Sequence, residues 1–117
     1  MWIFTTIGFF SVVEKPDDRG KGTVTIRSRV RSDLEALKEK YLPTLGPIQE
    51  NSQTDYRFRA KAKKEEFASA LQKMALDLDY DNFKATVSRR QGVEREGFYH
   101  EVWETLLRLQ ERDMNMG

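Results

Sequence analysis

The chain has no cysteine, which excludes disulfide cross-links, thiol nucleophiles, iron–sulfur ligation and every zinc site built on cysteine. It has one histidine, His100, so a metal centre made of several imidazoles is excluded as well. An excess of charge of either sign is also missing: 20 Lys and Arg face 19 Asp and Glu, for a net charge of +1. A gross electrostatic pull toward nucleic acid or anionic lipid is therefore absent, and any such attraction has to come from local patterning. No apolar run is long enough to span a bilayer. The longest, Trp2 to Val13, has no positive charge before it and no small-residue cleavage site after it, so it does not read as a secretory signal. The expectation is a soluble, cytoplasmic protein without membrane association.

What is present suits one small folded domain. Hydrophobic residues make up 38% and charged residues 33% of 117, enough apolar material for a core under a well-solvated surface. No internal repeat, low-complexity tract or interdomain linker divides the chain. The pattern predicts a single domain over 1–112 and a frayed tail over 113–117.

The opening WIFTTIGFFSVV is β-branched and aromatic and apolar on both alternating faces, which predicts one central strand, with Gly8 as a bulge or bend. Turn chemistry in PDDRGKG, Pro16 to Gly22, predicts a hairpin into Thr23–Val30. There Val24, Ile26, Ser28 and Val30 alternate with Thr23, Thr25, Arg27 and Arg29. Ser32 followed by Glu35 reads as a capping box, and Leu34, Leu37, Tyr41 and Leu42 form the apolar stripe of a helix that Pro43 ends. After a loop over 44–53, Thr54–Ala62 alternates again, Tyr56, Phe58, Ala60 and Ala62 against Arg57, Arg59 and Lys61.

The strongest helical period runs from Glu65 to Leu78 through Phe67, Ala70, Leu71, Met74, Ala75 and Leu78. Asp77–Asn82 reads as a turn in which Asn82 or Asp81 caps the next element. Phe83–Gln91 fits a short helix closed by Gly92, with a strand over Phe83–Val87 as the alternative. Val93–Arg112 carries two adjacent apolar stripes, Phe98, Val102, Leu106, Leu109 and Tyr99, Trp103, Leu107.

These elements imply an α+β fold: a small antiparallel or mixed sheet with helices on one face. A helical crossover joins the second and third strands, so the expected order is 2-1-3, with the outer two parallel and the opening strand antiparallel between them. A strand at Phe83–Val87 would bring the layout close to ferredoxin-like.

Several patterns have chemical meaning. Arg27, Arg29, Arg57, Arg59 and Lys61 are expected to line the helix-free sheet face, interleaved with aromatics of the opening strand, Trp2 and Phe4 or Phe9. Cations there would meet phosphates while exposed rings stack on unpaired bases. The consensus of sheet-based RNA readers, Lys or Arg, Gly, aromatic, Gly or Ala, Phe, is missing. The same residues equally suit a solvated sheet face or half of a dimer interface.

Glu96, His100 and Glu104 fall four residues apart on one helical face, a geometry that can hold a divalent metal or orient an imidazole. An ordinary charged surface stripe continuing to Arg108 has the same spacing, and no nucleophile pairs with His100 by spacing. Asp77, Asp79 and Asp81 mimic the opening of a calcium loop, but Asn82 stands where glycine is needed and Ser88 where a bidentate glutamate belongs. Gly20-Lys21-Gly22-Thr23 lacks the earlier glycine and the following helix of a phosphate loop. The apolar stripes of the last helix could pack a second subunit.

The opening MWIFTTIGFFSVV, DYDNFK at Asp79–Lys84 and YHEVW at Tyr99–Trp103 together resemble a family of short bacterial proteins of uncharacterised function. The resemblance spans nearly the whole chain and implies a single compact bacterial domain. It carries no activity, cofactor or catalytic residue across. The expectation is a non-catalytic binding or regulatory module that self-associates or contacts a protein partner. The alternatives are a single-stranded nucleic-acid binder and an enzyme centred on His100.

Overall fold

The computed structural model describes residues 1–116. It shows an α+β fold, a five-stranded antiparallel sheet with four α-helices. The strands are Trp2–Thr5 (β1), Gly8–Val13 (β2), Thr23–Ser28 (β3), Gln49–Glu50 (β4) and Phe58–Lys63 (β5); the helices are Arg31–Lys40 (α1), Lys64–Leu76 (α2), Phe83–Gln91 (α3) and Val93–Met116 (α4). The chain forms two compact units, Met1–Asp79 and the segment from Tyr80 onward. The first holds the sheet with α1 and α2. The second is the hairpin of α3 and α4.

The opening apolar segment is two strands rather than one. Thr6 and Ile7 turn β1 back onto β2, and the Thr5 hydroxyl holds the turn by donating to the Gly8 carbonyl at 2.8 Å and accepting from the Gly8 N–H at 3.1 Å. A side chain thus supplies what Asn-Gly commonly supplies in two-residue hairpins. The sheet order is β1-β2-β3-β5-β4, which overturns the expected 2-1-3. Strand β3 stands at the centre, and β5 pairs with it antiparallel along its whole length.

The physical reason lies in β4. The crossover through α1 delivers the chain to this edge strand, which runs in the same direction as β3, and β5 returns between them. Two polar residues, Gln49 and Glu50, carry no alternation of hydrophobicity, so the pattern gives no sign of the extra strand.

Alternation along the remaining strands sets the core. Phe10 and Val12, Val24 and Ile26, and Phe58, Ala60 and Ala62 point to one face and are buried against Leu34 and Leu37 of α1 and Phe67 and Ala70 of α2. The expected stripes of both helices account for these contacts, and Leu42 beyond α1 joins them. Leu78, placed on the α2 stripe by its period, lies past the helix end and is exposed.

The capping box is not formed. Helix α1 starts at Arg31 with Val30 as its N-cap and no side-chain cap, which puts Ser32 already inside the first turn. Asp33 instead reaches the neighbouring hairpin, where its carboxylate accepts from the Phe9 N–H at 3.0 Å.

In the second unit the segment Phe83–Gln91 is helical, so no fourth full-length strand exists there and the ferredoxin-like layout is overturned. Asn82 caps α3 by accepting from the Ala85 N–H at 2.9 Å. Gly92, at φ 102°, makes the break into α4, a backbone conformation that favours glycine. Phe83 stacks on Tyr99, with ring centroids 5.9 Å apart. Helix α4 continues past Arg112 to Met116. Among the described residues, no helix is long and apolar enough to cross a membrane.

Candidate functional site

Residues directly opposite one another in a sheet share a face. The pairings Trp2↔Ser11, Ser11↔Arg27, Arg27↔Arg59 and Arg59↔Gln49 therefore form one row across all five strands, on the face turned away from α1 and α2. At about 4.8 Å per strand the row is roughly 19 Å long. Beside it lie Phe4 and Phe9, stacked with centroids 4.5 Å apart, and Trp2 meets Phe9 edge-on at 5.8 Å. Trp2 is 67% exposed.

Tyr56 anchors the cationic end. The alternation of 54–62 places it on the core face, but β5 begins only at Phe58, and the preceding turn swings the ring to the opposite side. There the guanidinium carbons of Arg27 and Arg29 lie 4.6 Å and 4.3 Å from its centroid, and Phe9 lies 6.5 Å away. Cation–π attraction holds both arginines against the ring.

The five basic residues separate into two groups. Lys61 donates to Asp17 at 3.0 Å and to Asp18 at 2.8 Å, and Arg57 forms a pair with Glu50 at 2.6 Å. Arg57 precedes β5 and lies over the ring of Phe58, a core-face residue, at 5.4 Å. It is therefore not part of the row. Arg27, Arg29 and Arg59 have no carboxylate partner among the described residues. Arg27 Nη2 donates to Ser11 Oγ at 2.7 Å, and Arg59 Nη2 donates to Thr54 Oγ1 at 2.9 Å and to the Tyr56 carbonyl at 3.2 Å.

These neutral acceptors orient the guanidiniums without cancelling their charge. The Nε of Arg27, the Nε of Arg59 and the Tyr56 hydroxyl are buried without a hydrogen-bond partner. Two like charges over one ring, with a third guanidinium on the carbonyl of the same residue, repel one another, and an anion relieves that repulsion.

Next to the row, Asp18 is a fully buried carboxylate that accepts from Thr23, Thr25, Lys61 and the Lys15 N–H. Burial by itself would raise its pKa, but the hydrogen bonds from Lys61, Thr23, Lys15 and Thr25 outweigh that and hold it well below the usual carboxylate range. Lys61 is shifted upward: burial works against its charge, and Asp18 and Asp17 more than restore it. This pair neutralises the Lys61 end of the face, so the uncompensated charge is concentrated at Arg27, Arg29 and Arg59.

The second group of expected residues comes together only in part. His100 Nε2 lies 2.9 Å from Glu104 Oε1, and Lys84 Nζ lies 3.0 Å from His100 Nδ1. An ammonium only donates, so Nδ1 accepts and Nε2–H donates to Glu104. The imidazole stacks on Trp103 at 5.5 Å, and Lys84 sits over the same indole at 4.3 Å. Glu96 makes no hydrogen bond or ion pair to His100. With both ring nitrogens engaged, the group ties α3 to α4. No set of three metal-ligating side chains gathers anywhere among the described residues.

Sequence reasoning missed Tyr56 as the anchor, Ser11 and Thr54 as orienting acceptors, and Asp18 as the counter-charge of Lys61. A Pro-Asp-Asp turn next to a Thr-rich strand is the one signal that pointed toward Asp18. No protein-family model matches the chain, and no curated protein or solved structure shows significant similarity to it.

Proposed function

We propose that the chain is a non-catalytic binding module that takes single-stranded nucleic acid on the sheet face opposite α1 and α2. The observation that carries this reading is the row Trp2, Ser11, Arg27, Arg59 with Arg29 and Tyr56 beside it: unneutralised guanidiniums within reach of an exposed indole. Phosphate oxygens accept from the guanidiniums while a base stacks on Trp2, and both contacts tolerate any sequence. The face lacks the glycine–aromatic consensus of sheet-based RNA readers, so the ligand is recognised by charge and stacking.

Fluorescence anisotropy with labelled oligo-dT and oligo-U tests the reading. Arg29→Ala and Arg59→Ala each weaken binding, and Trp2→Ala weakens it about tenfold through loss of one stacked base. Arg57→Ala leaves binding unchanged, because Glu50 already holds that guanidinium. Absence of binding by the unmodified chain at low salt refutes the proposal. Equal affinity for polyglutamate would refute the base-stacking half and leave a site for charge alone.

A further inference from the structure

Helix α4 presents a stripe of largely exposed apolar side chains. Phe98, Leu106 and Leu109 are 58%, 55% and 64% exposed, and Val102 lies between them. At 3.6 residues per turn these four fall within one quarter of the helix surface. Glu94, Glu101, Arg108 and Arg112 run along one edge of that stripe, acidic toward the N-terminus and basic toward the C-terminus. None of these four has an ion-pair partner among the described residues. The opposite edge carries Tyr99, Trp103 and Gln110, with Glu96 just beyond them, while Arg95 and Asp113 interrupt the stripe on that side.

This arrangement chooses its own partner. In an antiparallel helix pair each edge faces the same edge of the other helix, whereas in a parallel pair it faces the opposite edge. Two α4 helices laid antiparallel bring Glu101 against Arg108 of the partner subunit, and Glu94 toward the partner's Arg112. The two-fold axis then passes beside Thr105, and Val102 meets the partner's Leu106. A parallel pair would set the charged row mainly against Tyr99, Trp103 and Gln110 and leave Glu101 without the partner's Arg108. We infer that α4 is a homodimerisation helix that pairs antiparallel with a second copy of this chain, its register set by Glu101 and Arg108.

Sedimentation across a concentration series, without nucleic acid, reads the assembly separately from the sheet-face proposal. The unmodified chain forms a dimer. Glu101→Arg places like charges together and weakens that dimer by about tenfold or more, and adding Arg108→Glu restores it. Circular dichroism shows that both variants remain folded. The chain has no native cysteine, so single introduced thiols report the orientation. Under oxidation Thr105→Cys, beside the axis, cross-links to itself, while Asn115→Cys, near the helix end, does not. A chain that stays monomeric up to about 100 µM overturns the inference. So does Asn115→Cys cross-linking as well as Thr105→Cys, or a charge swap that fails to restore the dimer.

Discussion

Asp18 shows how one side chain organises a whole edge of the sheet. Its carboxylate ties the turn before β3 to Thr23, Thr25 and Lys61, and its folded pKa lies below the ordinary 3.8. A depressed carboxylate contributes stability above its unfolded pKa and loses it as pH falls toward the folded value. This contribution is therefore complete at neutral pH and drains away below pH 3.8. Lys61 has the opposite sign: its raised pKa contributes below 10.5 and is lost as pH climbs through the folded value. Asp18→Asn should cost about 2–3 kcal/mol at neutral pH by removing charged hydrogen bonds. It should also flatten the acid limb of the stability curve, which urea unfolding midpoints between pH 7 and about pH 2 would follow. An unchanged acid limb would show that another carboxylate controls it. Gly8 is a second single-residue constraint, because a Cβ there would sit 2.6 Å from the Asp33 Cγ. Gly8→Ala must displace the carboxylate that accepts from the Phe9 N–H, at a cost of about 1–3 kcal/mol, measurable by thermal unfolding.

At the scale of elements, α3 is short and weakly apolar, so its start depends on its cap. Asn82→Ala removes the acceptor for the Ala85 N–H and should cost about 1 kcal/mol. Helical circular dichroism and the unfolding midpoint would both report the loss, and Asn82→Asp should recover most of it. That cap was legible in the sequence, as were Gly92, the α2 stripe and the Pro16–Gly22 turn, because each rests on interactions within a few residues. The strand order was not legible. It depends on β4, whose residues Gln49 and Glu50 belong to a sheet only through backbone bonding to β5, and on a Thr5 hydroxyl replacing the usual turn residues. The candidate face was half legible for the same reason. Alternation placed Arg27, Arg59 and Lys61 correctly, since all three lie inside strands. It failed for Tyr56 and Arg57, which precede β5 and are oriented by a turn with no period of its own. The Glu96, His100, Glu104 spacing was a true helical spacing, but neither alternation nor helical period announces that Lys84 from α3 occupies His100 Nδ1.

For the molecule as a whole, near-neutrality shapes how any polyanion would bind. With a net charge of +1 there is no broad attractive field, so binding should report the local contacts alone. Each phosphate neutralised on a single strand releases counterions and adds about −0.7 to the slope of log affinity against log salt. Contacts from Arg27, Arg29 and Arg59 together predict a slope of roughly −2. A uniformly basic protein would give a much steeper one. Replacing any one of the three by Ala should reduce the magnitude by about 0.7, whereas Arg57→Ala and Lys61→Ala should leave it unchanged because Glu50, Asp17 and Asp18 already neutralise those cations. Trp2→Ala separates the remaining contribution: it should lower affinity at every salt concentration without altering the slope, since stacking displaces no counterions. Titrations from about 20 to 200 mM salt would resolve these slopes. If Lys61→Ala changed the slope as much as Arg59→Ala, the ion pairs to Asp17 and Asp18 would have to open on binding, and the division of the basic residues into compensated and uncompensated groups would be wrong.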